Sequence, residues 1–347
     1  MKGDQKVRLP SAFERYRSEI DAELRSVLAE RESPLYEMMR YHLGWVDEQG
    51  HPTQGSTGKR LRPTLLLLAC EAVGGTWHQA LPAATAVELV HNFSLIHDDI
   101  QDDDRERRHR PTVWSIWGKP QAINAGDSMH TLADVALFRL GDQGVALEKQ
   151  QRAQRLLSEA CLRIVEGQYL DISYESRPDI GVDDYLEMIE GKTAALIACS
   201  LEVGALLGCD DEAVIKGLFA FGRGLGLAFQ VRDDVLGIWG DQKKTGKPLG
   251  SDIRRKKKSL PIVYALEKAK GEAKKELLNI YQKEVIEDQD LDAVQGILNA
   301  LKAQAYTQGI AHKYLNRALE EIRGHPLVPS PARELEELAR FLVERDF

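Results

Sequence analysis

A dense block of charged side chains lies at residues 95–112, LIHDDIQDDDRERRHRPT, where five aspartates are followed by arginines and a histidine. On a helix, Asp98 and Asp102 share one face, as do Asp99 and Asp103, and such like-charge pairs cost roughly 0.2–0.5 kcal/mol each. Divalent cations would reverse this penalty, and carboxylate oxygens on one face suit Mg²⁺, which shares its other positions with substrate phosphates. A solvated acidic helix end is the alternative, but arginines directly after it suit diphosphate oxygens. The block therefore indicates a site for a metal-bridged diphosphate.

A second acidic pair also precedes a basic segment, at residues 229–261. Gln230, Asp233 and Asp234 have the helical spacing i, i+3, i+4, so one helix face would carry an amide and two carboxylates. The following residues are rich in glycine and in basic side chains: Lys243, Lys244, Lys247, Arg254, Arg255, Lys256, Lys257 and Lys258. A solvated basic loop is the alternative interpretation. Because an acidic helix end followed by basic residues occurs twice, two such sites could enclose one polyphosphate from opposite sides.

Weaker signals lie elsewhere in the chain. In GKRLRP, residues 58–63, Lys59 and Arg62 stand just before a helix that we expect to begin at Pro63, where basic side chains and free backbone N–H groups would attract an anion. A basic surface turn is the alternative. Lys192 with Thr193 is, taken alone, more typical of an ordinary cap or core polar group, and His91 is either a core histidine or a ligand.

Composition limits the possible functions. The chain has 347 residues, 43 % of them apolar and 29 % charged, and its net charge of −8 argues against a nucleic-acid partner. The four cysteines form no CxxC pair, which predicts neither a disulfide framework nor a thiolate zinc site and fits a reducing cytoplasm. The first residues are too charged for a secretory signal, and no apolar run predicts a membrane span.

The hydrophobic periodicity is helical almost throughout, in stretches that we place at 11–31, 63–73, 82–102, 125–140, 151–172, 183–208, 213–236, 261–282 and 332–345. No convincing alternating strand is present. The glycines and prolines of 237–261 predict a functional loop or a disordered excursion. No linker or repeat divides the chain, so we expect a single all-α domain over residues 1–347.

Taken together, these motifs resemble those of the trans-isoprenyl diphosphate synthases of the polyprenyl synthetase family. GKRLRP, HNFSLIHDDIQD with RRHRPT, NAGD, GQYLD, GKT, FQVRDD and GKPLGSD with KKKSLP occur in the order and spacing of that family, over residues 55–261. The resemblance implies an all-helical bundle around a deep central cavity, two aspartate motifs facing each other across its mouth, and a homodimer. It also implies condensation of isopentenyl diphosphate with an allylic diphosphate, and Mg²⁺ ions, about three per active site, as cofactor.

The resemblance also implies roles for individual residues. The Mg²⁺ ligands would be Asp98, Asp102 and Asp233, with Asp99 and Asp234 in support. Cations that contact the allylic diphosphate would be Arg107, Lys192, Lys247 and Lys257, whereas Lys59, Arg62, His91 and Arg108 would bind isopentenyl diphosphate. Thr193 and Gln230 would lie near the reacting carbon.

The chain departs from the family pattern at three positions. Gly237 stands where the third aspartate of the second motif is usual, so that a metal ligand is missing or is replaced by water or by Asp241. His109 and Lys256 each stand where glycine is common.

Product length in this family is set largely by the residues four and five positions before the first aspartate, here Ser94 and Phe93. The large ring of Phe93 and the small side chain of Ser94 lead us to expect geranylgeranyl diphosphate, with farnesyl diphosphate as the second candidate product. If Phe93 is ordinary core, this argument fails. The chain could instead be a class I terpene cyclase, a metal-dependent phosphohydrolase that uses His91, His97 and Asp98, or a non-catalytic subunit of a heteromeric prenyl synthase.

Overall fold

A computed structural model describes residues 10–53, 58–240 and 250–345. In this part of the chain the helices are α1 (Ala12–Arg15), α2 (Arg17–Leu28), α3 (Pro34–His42), α4 (Leu61–Ala72), α5 (Leu81–Gln101), α6 (Val113–Trp117), α7 (Lys119–Phe138), α8 (Leu147–Glu175), α9 (Val182–Ile189), α10 (Ala195–Gly208) and α11 (Glu212–Trp239). They continue with α12 (Ser251–Arg254), α13 (Leu260–Lys268), α14 (Gly271–Gln282), α15 (Asp288–Ala300), α16 (Ala303–Arg323) and α17 (Pro329–Glu344). A 3₁₀ turn (Trp77–Ala80) precedes α5, and a π-helical turn (Glu190–Ala194) joins α9 to α10. The predicted all-α fold class is confirmed.

The helix boundaries follow local rules that the periodicity alone does not resolve. Helix α4 begins at Leu61, so Pro63 lies within the first turn and not at its first position. Proline is tolerated there because the first backbone N–H groups of a helix have no intrahelical partner. Helix α11 continues to Trp239, so Gly237 lies inside a helix and not in a loop.

Two short strands form a hairpin directly after α5. Strand β1 (Glu106–Arg107) pairs antiparallel with β2 (Arg110–Pro111). The two residues between them, Arg108 and His109, have φ values of 54° and 60°. Positive φ at both central residues is the geometry of the hairpin turns that favour glycine. Two-residue strands are too short to alternate, so the sequence pattern does not reveal them.

The chain falls into two compact units, each built from several segments. One comprises Met1–Cys161, Cys199–Lys216 and Pro326–Leu335, and the other comprises Leu162–Ala198, Gly217–His325 and Glu336–Phe347. In the first unit α5 packs along α7 and α4, and most of its apolar residues from Pro82 to Ile96 are buried. In the second unit the buried apolar cluster includes Ile238, Ile262, Leu266 and Leu277. The single domain, the central cavity and the facing of the two motifs stay predictions.

Two segments are long and apolar enough to cross a membrane by length and composition, Val182–Gly208 and Glu212–Trp239. The apolar windows in them are 72 % and 61 % buried within the fold. Burial of that extent is what the core helices of a soluble protein show.

Candidate active site

The acidic end of α5 places its aspartates in two different environments. Asp98 and Asp102 lie one turn apart, with the N–H of Asp102 donating to the carbonyl oxygen of Asp98 at 2.9 Å, and both residues are half-buried. Asp99 is only 1 % exposed and accepts a hydrogen bond from Nε of Arg107 at 2.7 Å. Burial raises the pKa of Asp99 to about 6, although the Arg107 charge lowers it in part. Asp98 and Asp102 therefore reach solvent, whereas Arg107 holds Asp99 within the fold.

The hairpin folds its arginines back toward the acidic end of α5. Nη2 of Arg107 lies 3.9 Å from Oδ2 of Asp98. The guanidinium of Arg108 packs against Gly58, where a Cβ would lie 3.0 Å from Nη2 of Arg108. Because Gly58 also has a φ of +77°, the glycine of GKRLRP is favoured both by its conformation and by this close approach.

Positive charges surround His91, a half-buried residue of α5. The pKa of His91 lies well below its usual range because its ring is buried and because Arg62, Arg108 and Arg107 add positive charge. The structure thus brings together three of the residues expected to bind isopentenyl diphosphate, Arg62, His91 and Arg108. Lys59, the fourth, is exposed just before α4.

Arg60, the middle basic residue of GKRLRP, is a structural group that the motif alone does not distinguish from its neighbours. It is 2 % exposed and donates to Asp21 at 2.9 Å and to Glu88 at 2.7 Å. Glu88 also accepts from Nδ2 of Asn92 at 3.1 Å. This buried network fixes the start of α4 against α2 and α5.

Phe93 is 7 % exposed and packs among histidines. Its ring centroid lies 5.6 Å from that of His97 and 5.0 Å from that of His130 on α7. The hydroxyl of Ser94 donates to the carbonyl oxygen of His91 at 2.8 Å. The glycine of NAGD has a packing reason, since a Cβ at Gly126 would lie 2.3 Å from Nε2 of His97.

The rest of the acidic block has structural partners. Lys119 donates to Asp103 at 2.5 Å, and both side chains are largely exposed. The carbonyl oxygen of Asp104 accepts hydrogen bonds from the Thr112 hydroxyl and from the Trp114 indole N–H, both at 2.8 Å. These contacts connect the turn after α5 to the start of α6.

The second aspartate pair repeats the division between an outward and an inward carboxylate. Asp234 is 5 % exposed and accepts hydrogen bonds from the Tyr185 hydroxyl at 2.5 Å, the N–H of Leu260 at 2.7 Å and Nε2 of Gln230 at 3.1 Å. Burial raises its pKa to about 7. The Asp233 side chain is 38 % exposed and is paired with the guanidinium of Arg345. Asp234 thus anchors α9 and the start of α13, and Asp233 reaches the surface.

Thr193 and Lys192 lie on the π-helical turn, a form that is frequent at functional sites. The Thr193 hydroxyl donates to Oε1 of Gln230 at 2.9 Å, and Nζ of Lys192 donates to Asp171 at 2.5 Å. The turn approaches α8 closely, since a Cβ at Gly167 would lie 2.1 Å from the backbone N of Lys192. The predicted group of Lys192, Thr193, Gln230 and Asp234 is therefore contiguous.

The carboxylate of Asp252, on α12, occupies the space where the side chain of the usual third aspartate of the second motif would begin. A Cβ at Gly237 would lie 2.0 Å from Oδ2 of Asp252, and the charge of Asp252 contributes to raising the pKa of Asp234. Asp241, one of the alternatives for the missing ligand, lies outside the described residues, as does Lys247. The sequence signal for Asp252 is its place in GKPLGSD, and only folding brings it to Gly237.

The remaining basic residues of this segment differ in exposure. Lys257 is exposed, and its charge and that of Lys192 lower the pKa of Glu175, which burial raises. Lys258 is buried and lies over the Tyr281 ring at 5.3 Å. Lys256 has a φ of 54°, and His109 has a φ of 60°. This left-handed backbone conformation explains why glycine is common at both positions.

The candidate ligands fit a hard divalent cation in their chemistry. All are carboxylate oxygens, and Oδ2 of Asp99 is buried with no hydrogen-bond partner among the described residues. Within the described ranges, no three acidic, histidine or cysteine side chains form a preformed metal cluster. Mg²⁺ tolerates such a site because it keeps several waters and is completed by substrate phosphates.

Known proteins resemble the chain over most of its length. The polyprenyl synthetase family model matches residues 44–298. A (2E,6E)-farnesyl diphosphate synthase of Mycobacterium tuberculosis is 41 % identical over 323 residues, covering 92 % of this chain and 88 % of that protein. A geranylgeranyl diphosphate synthase of the same organism is 46 % identical over 270 residues, covering 78 % of this chain and 76 % of that protein. The crystal structure of a polyprenyl synthetase from Streptomyces coelicolor superposes with a TM-score of 0.90 at 37 % identity, covering 96 % of this chain and 100 % of that one.

These matches extend well beyond the motifs, into the helices that carry no site residue. They confirm the resemblance that the motifs indicate. The chain therefore belongs to the polyprenyl synthetase family and is a trans-isoprenyl diphosphate synthase, an enzyme of the prenyltransferase class.

Proposed function

We propose that the protein is a Mg²⁺-dependent, short-chain prenyltransferase that condenses isopentenyl diphosphate with an allylic diphosphate and releases chiefly geranylgeranyl diphosphate. The observation that carries the proposal is the end of α5, where half-buried Asp98 and Asp102 lie beside an arginine turn that folds back on them. Anion-binding cations next to carboxylates that face solvent suit a diphosphate held through a metal.

Asp98 and Asp102 on α5 and Asp233 on α11 would hold the metal ions. When bound, Mg²⁺ would neutralise the charge that develops on the departing diphosphate and so favour ionisation of the allylic C–O bond. Arg107, Lys192, Lys257 and Lys247 would contribute the remaining positive charge on that diphosphate, although Lys247 lies outside the described residues.

The cations around His91 form the proposed site for isopentenyl diphosphate. A neutral imidazole still donates one N–H, so His91 can bind a diphosphate oxygen while Arg62 and Arg108 supply the charge. Lys59 would add a further exposed ammonium group. Fixing the second substrate in this way orients its double bond toward the allylic carbon, which is the positioning part of catalysis.

Thr193 and Gln230 are joined by a hydrogen bond and are fixed in turn by buried Asp234. Their dipoles are proposed to face the allylic carbon, where positive charge develops. Because Asp234 is already engaged by three donors, its role is to hold this pair, and not to bind metal.

Phe93 and Ser94 are proposed to limit the length of the product. A phenyl ring packed between His97 and His130 is a rigid stop, and the neighbouring serine leaves more room than a second aromatic ring would. Farnesyl diphosphate is the second candidate product, and the similarity to the farnesyl diphosphate synthase of Mycobacterium tuberculosis favours it.

A second copy of the chain is proposed as partner. Leu162, Val165, Tyr169 and Ile172 lie on one face of α8 and are 64 %, 55 %, 69 % and 43 % exposed. An exposed apolar stripe of this kind is typical of an interface.

The free cysteines, three of them buried, are consistent with the proposed cytoplasmic location.

The test is to incubate the purified protein with Mg²⁺, isopentenyl diphosphate and, separately, dimethylallyl, geranyl or farnesyl diphosphate, and to identify the products by mass spectrometry. We expect geranylgeranyl diphosphate from each starter and no product after chelation of the metal. No condensation with any of the three would reject the enzymatic proposal and favour a non-catalytic subunit. A cyclic hydrocarbon would favour a terpene cyclase.

A further inference from the structure

Arg345, directly after α17, is fixed against the outward carboxylate of the second aspartate pair. Its guanidinium donates to Oδ1 of Asp233, and its side chain is only 8 % exposed. The main-chain carbonyl oxygen of Arg345 accepts two hydrogen bonds from the Arg232 guanidinium, at 2.9 and 2.6 Å. The Arg345 guanidinium also lies over the Phe229 ring, 4.6 Å from its centroid.

The three partners of Arg345 belong to one face of α11. Phe229, Arg232 and Asp233 have the spacing i, i+3, i+4, so they lie side by side on that helix. Arg345 is thus held at its backbone, at its ring-stacked face and at its charged end. These three contacts keep the Arg345 guanidinium at Asp233.

Arg345 nevertheless leaves one of its own donors unused. Its Nε is buried and has no hydrogen-bond partner among the described residues. A guanidinium that is almost fully buried with an unsatisfied N–H is a costly arrangement, which the Asp233 charge compensates only in part. This unsatisfied donor lowers the cost of moving Arg345 away from Asp233.

We propose that Arg345 is a positioning residue that occupies Asp233 in the substrate-free enzyme and competes with the divalent cation for this carboxylate. A metal ion at either oxygen of Asp233 would lie within a few ångströms of the guanidinium, where two positive charges repel. Binding of metal at Asp233 therefore requires that Arg345 move away. The inference rests on the proposed role of Asp233 as a metal ligand.

The competition is tested by titrating the protein with Mn²⁺ in the absence of substrate and measuring free Mn²⁺ by electron paramagnetic resonance. We expect Arg345→Gln to bind Mn²⁺ roughly threefold to tenfold more tightly than the wild type, since the lost ion pair no longer opposes the metal. Arg345→Lys keeps the positive charge but loses the stacked guanidinium, so its Mn²⁺ affinity should lie between those of the wild type and Arg345→Gln. Arg340→Gln, at an exposed arginine of α17 shortly before Arg345, is the matched control and should change nothing.

An unchanged or weaker Mn²⁺ affinity of Arg345→Gln, or no measurable binding by either protein, would overturn the proposal. Asp233→Asn separates this failure from failure of the proposed function. If Asp233→Asn weakens Mn²⁺ binding and Arg345→Gln has no effect, only the competition is wrong. If Asp233→Asn leaves the affinity unchanged, Asp233 is not a metal ligand. The competition and the proposed metal-binding role of Asp233 are then both rejected. In the Asp233→Asn background, Arg345→Gln should give no further gain.

Discussion

The carboxylate of Asp252 occupies the space into which a side chain at Gly237 would extend, 2.0 Å from the ideal Cβ position. The glycine that replaces the usual third aspartate of the second motif thus leaves room for another carboxylate, from a different helix. A carboxylate that the sequence lacks at one position is present in space from another position.

Gly237→Ala should therefore move Asp252. Alanine normally stabilises a helix interior by up to about 1 kcal/mol relative to glycine, but here the new methyl group overlaps Oδ2, and overpacking costs about 1–3 kcal/mol. Gly296→Ala on α15 is the matched control, since a Cβ there meets nothing within 4 Å. The two variants should differ by about 1–3 kcal/mol in free energy of unfolding by urea titration. The addition of Asp252→Ala to Gly237→Ala should close most of that gap, and a gap that stays open would exclude this overlap as its cause.

Two neighbouring arginines of GKRLRP should give opposite phenotypes. Arg60→Gln breaks a buried ion pair with Glu88 and should cost about 3–5 kcal/mol of stability. Arg62→Gln should cost less stability than Arg60→Gln and should raise KM for isopentenyl diphosphate by roughly tenfold or more, because a charged contact to a phosphate is lost. Steady-state kinetics with each substrate varied separately would check this, and an equal rise of KM for the allylic substrate would contradict the assignment.

Phe93→Ala should lengthen the product. Removal of the ring that packs against His97 and His130 leaves space for at least one more five-carbon unit, so the main product should shift upward by one or more units. Product chain length is read by mass spectrometry. Phe138→Ala, at a site that is 71 % exposed on α7, is the control and should leave the distribution unchanged. Unchanged products from Phe93→Ala would show that Phe93 is ordinary core.

Tyr169→Glu should dissociate the proposed dimer. The substitution places a charge in the middle of the exposed stripe of α8, where burial in an interface would leave it unpaired. The mass in solution, measured by light scattering after size exclusion, should fall from that of two chains to that of one. Phe219→Glu, on α11 and 41 % exposed, is a control that should leave the mass unchanged.

His42 should make the protein less stable in acid. Burial, with the charges of Arg108 and Arg107, lowers its pKa to about 3, from an ordinary 6.5. Between these two values the unfolded chain binds more protons than the folded one, so the stability is lost as the pH falls from about 6.5 toward 3. Relative to His42→Gln, the wild type should lose about 2 kcal/mol between pH 7 and pH 5 in urea titrations. His312→Gln, an exposed control, should titrate in parallel with the wild type.

Much of the fold and of the chemistry follows from local sequence. Apolar periodicity predicts most of the helices because burial acts on one helix face at a time. The aspartates would repel each other along one helix. Their spacing, with arginines directly after them, therefore predicts a site for a metal-bridged diphosphate. The motifs predict the family, which the match over residues 44–298 confirms.

Only the tertiary structure decides which member of each aspartate pair faces inward. Asp98 and Asp99 are identical in type, yet Asp99 is buried against Arg107, and Asp234 is buried beneath Tyr185 while Asp233 meets Arg345. Adjacent helix residues point about 100° apart, so the packing of distant segments, and not the motif, assigns their roles. Asp252 at Gly237 and Arg345 at Asp233 have the same origin, since such contacts between distant residues leave no periodic signal in the sequence.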